Sequence, residues 1–190
     1  MQQKQKGFTL IELLVVVSII AILAVFVILT LNPAQMLAQA RDSQRISDLS
    51  TLKSAIALYL ADQISPVMGT AGKCYGSSVS TPVASGCGGR MTAATVSTTT
   101  AVAAGGVTGS GWIPINFSAI SAGSPLGTEP VDPVNNATYF YSYATNASLQ
   151  FEIDAVMEST KYAASGTSDV ESTDGGNNAN AYEVGTNLTL

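Results

Sequence analysis

One carboxylate interrupts the most apolar stretch of this 190-residue chain. Glu12 sits inside residues 8–31, where the only other polar residues are Thr9, Ser18 and Thr30. An ionisable group costs a few kcal/mol at the centre of a bilayer and less near its edge, and such groups usually have a partner. A carboxylate near one end of an apolar run therefore calls for a cation. The other chemically able residues lie far down the chain. Cys74 and Cys87 enclose twelve residues. In an oxidising exterior they are expected to form a disulfide, the alternative being two free thiols in a reducing niche. With no further Cys or His they cannot complete a metal site. Asp169, Glu171 and Asp174 precede Gly175-Gly176-Asn177-Asn178. Oxygen donors beside flexible glycines suit calcium, although the spacing is not that of an EF-hand; the alternative is a solvated acidic loop. Glu152 and Asp154 would share one face of a strand, with nothing to mark a cleft around them. The chain has no histidine, which removes the commonest general base and every Ser-His-Asp or Cys-His arrangement. It has no P-loop and no G-x-G-x-x-G. The expectation is a protein that is not an enzyme.

The elements that carry these groups follow from patterning. Residues 8–31 as a helix would span ~36 Å, enough to cross a ~30 Å hydrocarbon core with some tilt. Lys4 and Lys6 ahead of the run favour a cytoplasmic N-terminus, which places the rest of the chain outside. A secretory signal peptide needs a shorter apolar region and a small-residue cleavage site after it, so this run is too long. A plain single-pass anchor has the right length but no use for Glu12.

Lys6-Gly7-Phe8-Thr9-Leu10-Ile11-Glu12-Leu13-Leu14-Val15 resembles the leader junction of type IV prepilins and type II secretion pseudopilins. The resemblance is strong over the first 31 residues, fair to residue 62 and weak beyond. It implies that a prepilin peptidase cuts between Gly7 and Phe8 on the cytoplasmic side, and that the new amine of Phe8 is N-methylated. It also implies that Glu12 acts in assembly, pairing with the N-terminal amine of a neighbouring subunit. That pairing is chemically apt. An α-amino group has a reference pKa of about 8 and is largely cationic at neutral pH, and an unpaired carboxylate among packed apolar helices is costly.

Beyond the apolar run, Pro33 is expected to kink or open the helix. Helical patterning then resumes and runs to about Asp62, with Ser65-Pro66 as its end. Leu49, Leu52, Ile56, Tyr59 and Leu60 recur at three- and four-residue spacing, one apolar stripe of an amphipathic helix. Arg41, Asp42, Arg45, Asp48 and Lys53 read as a solvated or intersubunit face. Residues 67–111, rich in Gly, Ser, Thr and Ala, read as a long surface loop with at most one short strand. Residues 112–117 alternate like a strand that Pro114 confines to an edge. Tyr139-Phe140-Tyr141-Ser142-Tyr143 reads as a strand. Leu149, Phe151 and Ile153 alternate with Gln150, Glu152 and Asp154 as a half-buried second strand. Tyr182-Glu183-Val184 reads as a short last one. The aromatic cluster reads as a packed sheet face ahead of a platform for sugars or bases.

The expected fold class is α+β: a long N-terminal helix, transmembrane in its first half and amphipathic in its second, packed on a small antiparallel sheet, as in the pilin fold. The divisions are a leader at 1–7, a transmembrane and assembly helix at 8–31, an amphipathic half at 32–64, and a β head at 65–190 with a disulfide loop at 74–87. The leading function is a structural subunit of a type IV pilus serving adhesion, motility or DNA uptake. The alternatives are a type II secretion pseudopilin and a minor or competence pilin that binds DNA. Acidity disfavours the last. Formal charge is −5, and loss of Lys4 and Lys6 leaves six basic residues against thirteen acidic ones, a field that repels nucleic acid. Implied partners are further copies of the chain, the prepilin peptidase, an assembly ATPase with its membrane platform, and the inner membrane before assembly. The precursor is expected in the cytoplasmic membrane and the mature form in an extracellular filament. No cofactor is expected beyond the calcium considered above.

Overall fold

The structure, a computed structural model, describes residues 7–78, 85–92, 96–99 and 106–190. Contacts divide the chain into two units, Met1–Leu37 and Ala38–Leu190.

The first unit is dominated by helix α1, Leu10–Leu31. Its end is set by the pair Asn32-Pro33. Proline disfavours helical backbone in the residue before it, and asparagine tolerates the left-handed region better than most residues do. Asn32 accordingly sits at φ 40°, ψ 74°. The same residue opens helix α2, Pro33–Asp62: its carbonyl accepts the amides of Gln35 and Met36, and its Oδ1 accepts Gln35 N–H at 3.4 Å. Proline fits the first helical position because it has no N–H to leave unpaired.

In the second unit, α2 lays one stripe against a sheet. Its buried residues are Ala38, Asp42, Arg45, Leu49, Leu52, Ala55, Ile56 and Tyr59. Among the described residues the sheet has five strands: β1 Lys73–Gly76, β2 Val96–Thr99, β3 Ser142–Thr145, β4 Phe151–Ala155 and β5 Tyr182–Gly185, in the order β2-β1-β3-β4-β5. Strands β1, β3, β4 and β5 are antiparallel neighbours, and β2 joins β1 in parallel. The α+β arrangement of a long helix on a small antiparallel sheet therefore holds. The row Tyr75, Tyr143, Ile153 and Val184 crosses the sheet and joins Leu49, Leu52, Ile56, Trp112 and Phe117 in one core. The tyrosines keep their hydroxyls satisfied: Tyr141 donates to Asp48 at 2.8 Å and Tyr143 to the Met68 carbonyl at 2.9 Å. The aromatic cluster is thus a packed face.

Several expectations are corrected. The stretch read as a surface loop with at most one short strand holds two, Lys73–Gly76 and Val96–Thr99, and the first sits within the sheet between β2 and β3; part of that stretch lies outside the described residues. Residues 112–117 form no ladder strand. Their backbone is held by a side chain instead, as Ile113 N–H donates to Glu129 Oε2 at 3.2 Å, and Trp112 Nε1 donates to the Pro130 carbonyl at 2.9 Å. The aromatic strand begins at Ser142 rather than at Tyr139. Leu149 belongs to the β3–β4 turn at φ 60° and not to the inward row. The end of helix α2 at Asp62, by contrast, is where the patterning placed it, shortly ahead of Ser65-Pro66.

Strand β4 is also buried on both faces. Glu152 and Asp154 have no exposed surface, because the face away from α2 is covered by Cys74, Cys87, Met91, Phe140, Ala144 and Leu190.

The largest departure concerns the charged face of α2. Asp42 and Arg45 are fully buried. Arg45 grips Asp132 with two parallel bonds, Nε–Oδ2 at 2.7 Å and Nη2–Oδ1 at 2.9 Å, and donates through Nη1 to Asp42 at 2.7 Å. Asp42 in turn accepts the amides of Glu158 and Ser159, while Glu158 also pairs with Arg41. This cluster ties the helix to two loops of the head. Positions 38, 42, 45, 49, 52, 56 and 59 advance by four and three residues in turn, so Asp42 and Arg45 are in phase with the apolar stripe. Extending the stripe backwards from Leu49 would have found them.

Candidate functional site

The N-terminal segment is built around Thr9 and Glu12. Thr9 is the N-cap of α1, with extended backbone. Its Oγ1 accepts Glu12 N–H at 3.3 Å, and Glu12 Oε2 accepts Thr9 N–H at 2.8 Å and the Thr9 hydroxyl at 2.7 Å. This is a capping box. It satisfies amides that the first turn of a helix leaves open, where lipid would offer no replacement. Glu12 thus has a local partner in its own chain, legible as T-x-x-E before an apolar run. Among the described residues both of its side-chain bonds fall on Oε2, so the local cap occupies one oxygen of the carboxylate.

The residues flanking the cap are open. Phe8 is 81% exposed, and a Cβ added at Gly7 would meet nothing within 4 Å. Packing therefore gives no reason for glycine at position 7. Helix α1 presents apolar side chains on all sides, from Val16 at 46% exposed to Leu10 at 81%. Its 22 residues rise ~33 Å, so it is long and apolar enough to cross a membrane by length and composition.

In the head, Cys74 and Cys87 are joined, with Cα atoms 5.8 Å apart. Cys74 lies on β1. Cys87 lies in a short helical turn, α3, Ser85–Gly89, whose backbone is left-handed at Gly86, Cys87 and Gly88. The flanking glycines allow this conformation at no side-chain cost. The bond closes a short loop, and reduction should lower the stability of the head by up to about 3 kcal/mol in the chain-entropy model. Chemical unfolding of the full chain in detergent, with and without reductant, measures this through the fluorescence of Trp112, the one tryptophan.

Asp169, Glu171 and Asp174 are not brought together as a set of ligands. Asp169 accepts the amides of Ser165 and Ser172. Glu171 is buried and accepts the amides of Met157 and Ala164. Asp174 accepts those of Gly176 and Glu183. Each shapes its own turn. The carboxylates that do converge are Glu152, Asp154 and Glu183. Pattern reading placed the first two on one strand face but had no means of setting Glu183 beside them.

Residues 2–28 match the family described as the prokaryotic N-terminal methylation motif, the prepilin signature of type IV pilins and pseudopilins. No curated protein and no solved structure matches the chain.

Proposed function

We propose that this chain is a structural subunit of a type IV pilus, cut after Gly7 by a prepilin peptidase, N-methylated on Phe8 and polymerised through α1. The observation that carries the reading is the match over residues 2–28 on a helix whose apolar side chains are exposed all round. Such a surface needs lipid before assembly and copies of itself afterwards. Packing among helices, with a polar pair as added glue, is the means available in a membrane. Repetition of one heterologous contact then gives an open helical filament. The work of extension belongs to a separate ATPase with its membrane platform.

Intact-mass and N-terminal analysis of protein sheared from cells tests the reading. A species beginning at N-methylated Phe8 and abundant in filaments is the expected result. The same species confined to the envelope would favour a pseudopilin. A chain still beginning at Met1 in a host with active peptidase would sink the proposal.

Two roles for Glu12 separate cleanly. Glu12→Gln keeps an acceptor for Thr9 N–H but removes the charge. If pairing with a neighbour's amine drives assembly, the variant should be processed normally and yet be depleted from filaments at least tenfold, as judged by quantitative blotting of sheared and membrane fractions. Wild-type incorporation would leave Glu12 as a helix cap alone.

A further inference from the structure

The face of the sheet turned away from α2 carries three carboxylates to which no cation among the described residues is bonded. Asp154 and Glu183 stand directly opposite each other on β4 and β5, and Glu152 lies two residues from Asp154 on the same face. Like charges placed opposite each other across a ladder are destabilising. Here they are also taken out of water: Glu152 and Asp154 are 0% exposed and Glu183 is 2% exposed.

Each carboxylate is held by one donor through one oxygen. Leu190 N–H donates to Glu152 Oε2 at 2.6 Å, Ser142 Oγ lies 3.5 Å from Asp154 Oδ2, and Asn178 N–H donates to Glu183 Oε2 at 3.0 Å. The second oxygen of each, Glu152 Oε1, Asp154 Oδ1 and Glu183 Oε1, is buried without a hydrogen-bond partner. One oxygen from each residue lies within 4.8 Å of the other two. Orphaned buried carboxylate oxygens are rare because each carries its full desolvation cost.

The charge is unbalanced as well. Among the described residues every ion pair is made by Arg41 or Arg45, in the network with Asp42, Asp132 and Glu158, and none involves this cluster. Arg90 is the cation whose field reaches Asp154. It spends Nη1 and Nη2 on the carbonyls of Phe140 and Thr138, with its guanidinium 3.6 Å over the Phe140 ring. With all three ionised, as a bound cation would require, three carboxylates against one guanidinium leave two negative charges under a cover of Met91, Phe140, Leu190 and the disulfide.

We propose that Glu152, Asp154 and Glu183 form a binding site for a divalent cation, calcium, on the inner face of the β4–β5 ladder. An all-oxygen donor set of carboxylates selects a hard cation, and calcium tolerates the irregular and partly bidentate geometry that such a cluster offers, where magnesium demands near-octahedral order and retains its water. Two positive charges cancel the excess. The ion joins two strands, and Glu152 links it to the backbone of the C-terminal Leu190. The site differs in residues and in place from the loop at Asp169, Glu171 and Asp174.

The test uses the full chain in detergent, stripped with a chelator and titrated with calcium chloride by calorimetry and by thermal unfolding. Saturating calcium at 100-fold over Kd should raise Tm by roughly 5–10 °C, and magnesium at the same concentration by much less. Glu183→Gln and Asp154→Asn should abolish the calcium response. Neither should unfold the chelated protein, because each removes a buried like charge. Glu152→Gln is the second safeguard, since it keeps an acceptor for Leu190 N–H. Absence of both heat and Tm shift at millimolar calcium overturns the site, and so does a calcium response that survives these substitutions.

Discussion

Arg45→Ala should destabilise the folded head by about 3–5 kcal/mol, the range for breaking a buried ion pair from one side. The guanidinium is fully buried and serves Asp132 through two bonds and Asp42 through a third. Removing it strands two carboxylates without their cation, Asp42 on α2 itself and Asp132 on a loop of the head, and that loop loses its tie to the helix. Chemical unfolding of the full chain in detergent, read by Trp112 fluorescence, measures the loss. Arg45→Lys should recover only part of it, because a lysine cannot reproduce the paired Nε and Nη2 contacts to one carboxylate. If Arg45→Ala lay within 1 kcal/mol of the parent, the cluster would not be what fastens helix to head. In the proposed pilus subunit, the segment that would polymerise, α1, lies N-terminal to this clamp in the same chain. A loosened clamp should therefore also reduce the yield of filaments while leaving processing at Gly7 intact.

Glu129 should make the head less stable as the pH rises. Burial pushes its carboxyl up to about 7, opposed only in part by the amides of Ile113 and Trp112 that point at it. It is 2% exposed, and Oε1 has no partner. The sign follows from the two states. An unfolded glutamate releases its proton near pH 4.5, whereas the folded one holds it to about 7. The stabilising contribution is therefore complete below about pH 4.5, falls as pH climbs through 7, and then levels off. The total is on the order of 3 kcal/mol. Glu129→Gln, which keeps an acceptor for Ile113 N–H, should flatten this part of the profile and be more stable than the parent at pH 8. Unfolding midpoints of parent and variant across pH 4–9 check this, and parallel profiles would refute it. Buried Glu183 contributes in the same direction, so the difference between the two proteins is the informative quantity.

Local signals carried the helices and the start of the chain. The bounds of α1 and α2 follow from an unbroken apolar run, Asn32-Pro33 and a four-and-three stripe, because helical periodicity is set within a few residues of backbone. The leader junction and the T-x-x-E cap are equally local. Strands β4 and β5 could be placed from alternation, since a strand's two faces are a property of its own pleat. Alternation cannot say what covers the second face. It took Glu152 and Asp154 for solvated residues, when Cys87, Met91, Phe140 and Leu190 close over them. Nor can it name partners across the chain. Arg45 meets Asp132 87 positions away, and Leu190 reaches Glu152 across 38. Tertiary packing alone chose those pairs, because the cost of a buried charge depends on which segment arrives to answer it. For Glu152, Asp154 and Glu183, no segment of the described chain supplies an ion pair, and only the field of Arg90 reaches Asp154.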